Sequence, residues 1–158
     1  MAQSPSNLEF LQNMIATGEN APVGYPFTFP PTIATTLGFK LAAVGPGTAT
    51  VEFESDVSRH ANPMGTLHGG VLCDIADAAI GTAHSTTLQA GESFTSIDLG
   101  IKFFRPVWDG QLMATAKPVQ SGHTLSHYVC EVTRADGKLV AQVTSTVMTL
   151  RGDQSKGR

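Results

Sequence analysis

One feature narrows the folds open to this chain more than any other: a single long helical run set among strands that are joined by short turns. The run follows His68 and reads GGVLCDIADAAIGTAHS, with Ala76, Ala78, Ala79, Gly81 and Ala83 keeping its surface small. Before it, LGFKLAAV and TATVEFES flank Gly45-Pro46-Gly47, which reads as a β-hairpin. After it come SFTSIDLGIKFF, QLMATAKPVQ, TLSHYVCEVTR and LVAQVTSTVMTL. They are separated by Arg105-Pro106 to Gly110, Ser121-Gly122 and the tight turn at Asp136-Gly137. Short connections make neighbouring strands antiparallel. A helix with small side chains lets a sheet approach closely, so the expectation is an α+β domain whose antiparallel β-sheet wraps around one long central α-helix.

The N-terminal part differs. SNLEFLQNMIA places Leu8, Leu11 and Ile15 on one helical face, with Ser6 or Asn7 to cap its start and Gly18 to end it. GENAPVGYPFTFPP, rich in Pro, Gly and aromatic residues, cannot hold regular structure for long and reads as an ordered loop laid over the domain. The expected organisation is residues 1–36 as helix and aromatic/Pro-rich loop, 37–150 as the wrapped-sheet domain, and 151–158 as a polar tail.

Composition removes several function classes. A net charge of −3 over 158 residues argues against a nucleic-acid partner, which needs concentrated positive charge. No apolar run reaches membrane-spanning length, and MAQSPSNLEF lacks the pattern of an export signal, so a cytoplasmic protein is expected. Cys73 and Cys130 sit in apolar runs as reduced thiols, and His60, His84, His123 and His127 have no partner at metal-ligand spacing, so no metal is expected. There is no Gly-x-Ser-x-Gly elbow, phosphate loop or dinucleotide fingerprint.

The chemistry is concentrated in NPMGTLHGGVLCDIADAAIGTAHS. Proline holds Asn62 extended, and His68-Gly69-Gly70 opens the helix. The first helical amides lack partners within the helix and carry its positive end, so glycines there can admit a ligand oxygen and form an oxyanion hole. The same glycines could equally serve close packing. Asp74, nearer the helix start, reads as structural, whereas Asp77 has Ala76, Ala78, Cys73, Ile80 and Gly81 around it and reads as a half-buried, reactive acid. Gly69 and Asp77 are eight residues apart, about 12 Å along a helix. One small reacting group cannot touch both, so joint action requires two copies of the helix, antiparallel across a two-fold axis.

Asn-x4-Leu-His-Gly-Gly-x6-Asp followed by Ala-rich helix resembles the signature of hotdog-fold acyl-CoA thioesterases, most nearly the phenylacetate-pathway (PaaI-like) branch. The resemblance spans about Leu37 to Leu150 and includes Phe104-Arg105-Pro106-Val107 and Gly110. It implies a hydrolase that splits an acyl-CoA into free acid and CoA, with no cofactor because coenzyme A is part of the substrate. In that frame Asp77 is nucleophile or general base, and the Gly69 N–H is the oxyanion donor. Asn62 holds the carbonyl or water, His68 orders the loop, and Ser96 positions the water or the aspartate, with Thr95 the fallback hydroxyl. Ser96 is at odds with a simple strand, because Ile97, Leu99, Ile101 and Phe103 alternate as a core face and turn it away, unless a bulge intervenes. Gly70, Met64, Leu67 and Thr95 are expected around the substrate, with Arg105 and His123 near its phosphates. The aromatic N-terminal loop would line a pocket for aryl or medium-chain acyl groups. The resemblance also implies a homodimer with interfacial sites, pairing further into a dimer of dimers. Two other readings use the same fold: an acyl-CoA-binding protein without catalysis, and an acyl-thioester hydratase or dehydratase.

Overall fold

The computed structural model describes residues 5–21, 25 and 27–156. Helix α1 (Asn7–Thr17) opens on a capping box in which the Ser6 hydroxyl accepts from the Glu9 amide while the Glu9 carboxylate accepts from Ser6, and it closes at Gly18. The aromatic loop holds no helix or strand among its described residues until a short helix, α2 (Thr32–Leu37). Strands β1 (Phe39–Gly45) and β2 (Thr48–Ser55) form the first hairpin. A single turn, α3 (Val57–His60), leads to the central helix α4 (Gly69–Ser85). Then follow β3 (Ser93–Ser96), β4 (Gly100–Phe103), β5 (Gly110–Ser121), β6 (Leu125–Arg134) and β7 (Leu139–Leu150). The tail begins with a 3₁₀ turn, Gly152–Ser155, and Arg151 pairs with Glu92 at 2.6 Å.

The strands form one antiparallel sheet in the order β1-β2-β5-β6-β7-β3, with β4 also on β7. It wraps α4, whose Ile75, Ala76, Ala79, Ile80 and Ala83 are fully buried. Facing them in the core are Phe53, Ala114, Ala116, Cys130, Val132 and Val143. Alanines on both the helix and β5 let the two backbones approach, which is why one long helix can sit inside a curved sheet. Near the end of α4, buried His84 shares hydrogen bonds with the Tyr128 hydroxyl at 3.2 Å and the Thr149 hydroxyl at 3.0 Å.

SFTSIDLGIKFF, expected as one strand, is two. Ser96 pairs with Val147 and Gly100 with Thr144, so four steps along this segment face three along β7. The extra residue makes a bulge. Asp98 holds it: its carboxylate accepts from the Thr146 amide at 2.9 Å and its carbonyl from the Ser145 hydroxyl at 2.7 Å. The expected core face is not buried either. Ile97, Leu99 and Phe103 are exposed on the single chain, as is Phe104.

Candidate active site

The loop before α4 is fixed by its own polar groups. Asn62 Oδ1 accepts from the amides of Met64 and Thr66 at 2.9 and 3.2 Å, and its Nδ2 donates to the Thr66 hydroxyl at 2.9 Å. This is a side chain closing a turn, with one amide hydrogen left over. The His68 amide donates to the His60 carbonyl at 2.8 Å, which sets His68 at the N-cap. There His68 Nδ1 accepts from the Gly70 amide at 2.9 Å. The Val71 amide donates to the His68 carbonyl. Among the described residues no acceptor is placed against the Gly69 amide, the first of the helix.

Both glycines also have a packing reason. A Cβ on Gly70 would stand 2.9 Å from His68 Nδ1, so its absence lets the imidazole fold back as a cap. A Cβ on Gly69 would stand 2.8 Å from Cζ of Phe103, whose ring lies against the helix start. The glycine pair thus serves close packing at the helix start.

Asp77 lies on the opposite side of α4 from the core, on the wall of a cavity of about 790 Å³. Solvent reaches the carboxylate through that cavity, yet the protein around it displaces enough water to raise its pKa. Desolvation is the main cause, the charge of Asp74 adds to it, and a hydrogen bond from the Ser96 hydroxyl opposes it. Asp77 and Ser96 are thus brought together on the cavity wall. Phe94 and Ser96, two apart on β3, both line the cavity, and Thr95 between them does not. The bulge after Ser96 separates this alternation from that of β4.

Other expected residues are dispersed. Leu67 belongs to the core rather than to a pocket, because its amide is tied to the Val107 carbonyl and its side chain is buried. Met64 is highly exposed and away from the cavity. Arg105 sits at one end of β7, donating to the Leu139 carbonyl at 2.6 Å. His123 precedes Leu125, which pairs with Met148 near the other end. Nine strand steps, Leu139 to Met148, or roughly 30 Å, separate the two positions, so they form no single cationic patch within one chain. Sequence reasoning missed Phe94, Gly81 and the close approach of Phe103. The spacing of Asp74, Asp77, Ala78, Gly81, Thr82 and Ser85 held a signal for Gly81, since it is one helical stripe of small and polar residues. Among the described residues, no three His, Cys, Asp or Glu side chains come close enough to share a metal ion.

A wrapped antiparallel sheet on one long helix is the hotdog fold, and here an acid on that helix stands beside a cavity. A family model described as the thioesterase superfamily matches residues 64–141. Human acyl-coenzyme A thioesterase 13 is 32% identical over 104 residues, which is 65% of this chain and 73% of that protein. The structure of a single-residue mutant of the phenylacetic acid degradation protein PaaI from Thermus thermophilus is similar at 32% identity and a TM-score of 0.68, covering 75% of this chain and 98% of that one. The E. coli PaaI protein is similar at 26% identity and a TM-score of 0.72, over 78% and 87% of the two chains. The chain belongs to the thioesterase superfamily. It is a hotdog-fold hydrolase, related to the PaaI-like and acyl-CoA thioesterase members of that superfamily.

Proposed function

We propose that this protein hydrolyses an aryl- or medium-chain acyl-CoA to the free acid and CoA, with Asp77 as the general base. The observation that carries the reading is the Asp77–Ser96 pair on the wall of a mostly apolar cavity. A carboxylate whose basicity is raised by desolvation is a better proton acceptor near neutral pH. The Ser96 hydrogen bond fixes the carboxylate so that a water held by its other oxygen points at the thioester carbonyl. Water adds to the carbonyl carbon, its proton passes to Asp77, and the C–S bond breaks as the tetrahedral intermediate collapses, releasing the CoA thiolate, which takes up a proton.

The negative oxygen of that intermediate needs donors. The Gly69 amide is the available one at the helix start, with Asn62 Nδ2 beside the same loop. About 12 Å of helix separates Gly69 from Asp77, so the donor comes from a second copy. The exposed Ile97, Leu99, Phe103 and Phe104 give that copy an apolar surface next to the helix start. Thiol release from a panel of acyl-CoAs by wild type and by Asp77→Asn tests the reading. The expected result is loss of several orders of magnitude in a folded variant. Activity that survives the substitution refutes Asp77 as the base. A single turnover in ¹⁸O-labelled water should place the label in the acid product, and label in the Asp77 carboxylate would make it the nucleophile.

A further inference from the structure

The cavity beside Asp77 is larger than a thioester carbonyl requires, and its walls say what else it holds. Its floor is the stripe Asp77, Ala78, Gly81, Thr82 and Ser85 of α4, and its roof is the N-terminal segment, through Met14 and Ile15 of α1, Phe27 and Phe29 of the aromatic loop and Ile33 of α2. At about 790 Å³ it lies in the upper part of the range of pockets that enclose a small ligand. Ile15 and Ile33 are large apolar side chains left exposed by the fold, and both line this cavity.

The roof is fastened at the end remote from Asp77. Asn7 Nδ2 donates to the Ser85 carbonyl at 3.0 Å, the Tyr25 hydroxyl donates to Asn7 Oδ1 at 2.7 Å, and the Tyr25 ring stacks on Phe10 at 4.1 Å. Leu11, only 1% exposed, holds α1 down. From Asp77 to Ser85 the floor runs eight residues, roughly 12 Å. Gly81 lies on the floor opposite Phe94, and an added Cβ there would stand 3.4 Å from Cζ of Phe94. Any larger side chain there would enter the cavity or push that ring.

We propose that this cavity is a chamber for a linear, medium-length acyl chain, with the thioester carbonyl at Asp77 and the terminal methyl toward Ser85, and that Gly81 and the roof residue Ile33 set the length it accepts. This rests on Asp77 being the catalytic residue. An aryl group would occupy the Asp77 end and leave the far end of a mostly apolar cavity unfilled, which is why the linear chain is favoured.

The test is kcat/KM for acetyl-, butanoyl-, hexanoyl-, octanoyl- and phenylacetyl-CoA, with wild type, Gly81→Leu and Ile33→Ser. Wild type should gain about fourfold per added methylene up to octanoyl, and octanoyl should exceed phenylacetyl. Gly81→Leu should cut the octanoyl-to-butanoyl ratio by roughly tenfold or more, since more than one methylene loses its place. Ile33→Ser, at an exposed position that folding does not need, should lower the same ratio severalfold and decides the matter alone if Gly81→Leu fails to fold. A ratio unmoved by the variants, or a phenylacetyl preference without length dependence, overturns the chamber. In either case Asp77→Asn still abolishing thiol release leaves the site reading standing. No release from any thioester by wild type would overturn the site reading itself.

Discussion

Substituting Gly69 by alanine puts a methyl group where the Phe103 ring already lies. The added carbon would be 2.8 Å from Cζ and 2.9 Å from Cε1, against an ordinary contact of 3.4 Å or more, so the ring must retreat by about 0.6 Å at the least. On helix propensity alone the change is favourable, by up to about 1 kcal/mol. What decides the sign is whether the ring is free. On a single chain Phe103 is 57% exposed and could swing aside at little cost. Held under a second copy at the proposed interface it could not, and overpacking of that kind costs about 1–3 kcal/mol. The expectation is a net loss of about 1–2 kcal/mol for Gly69→Ala, or roughly 2–8 °C in Tm for a domain of this size. Phe103→Ala should abolish that loss when combined with it. Urea unfolding of wild type, both single variants and the double variant, at one protein concentration, measures the coupling. Effects that add within about 0.5 kcal/mol would refute a ring pinned over Gly69, and with it the placement of the interface.

Three further expectations concern the site. Because desolvation raises the Asp77 pKa above the ordinary 3.8, kcat/KM should fall on acidification with a midpoint above that value, and a midpoint at or below it would sink the general-base role. The same shift has a stability sign: the folded state holds the proton more tightly than the unfolded one, so ionising Asp77 costs stability as pH rises from 3.8 through the raised pKa. Asp77→Asn should therefore melt higher than wild type at neutral pH and lose that advantage below pH 3.8, checked by thermal melts across pH. His68→Ala removes the acceptor for the Gly70 amide, and should cost about 1 kcal/mol by urea unfolding. Mixed dimers of Asp77→Asn and Asn62→Ala chains should regain one working site of two, if each site draws Asp77 from one chain and Asn62 from the other. Mixtures no more active than the parent variants would place both residues of a site in the same chain.

Local signals along the chain were enough for most of the architecture. The Ser6–Glu9 capping box, the Gly45-Pro46-Gly47 and Asp136-Gly137 turns, and the small-residue helix all act within a few residues, and each element formed where those signals stand. The acid on the helix and the histidine at its start were legible for the same reason, since helix periodicity and capping are local rules. The short helices α2 and α3 were not, because four to six residues carry too little periodicity to read.

Side-chain environment is a different matter, since it depends on which distant segments meet. The bulge that separates Ser96 from β4 is held by Asp98 against β7, nearly fifty residues away in sequence. Leu67 and Met64 look alike in a hydropathy pattern, yet contact with the Val107 segment buries the first, and none of the described residues covers the second. Alternation in IDLGIKF marks an apolar face but not what lies against it, and only tertiary structure shows that face open to solvent beside the helix start. The sequence by itself determined that one helix is wrapped by a sheet and carries an acid. The tertiary structure alone decided that Asp77 meets Ser96 under the N-terminal segment, because burial and desolvation belong to the assembled surface and not to any stretch of chain.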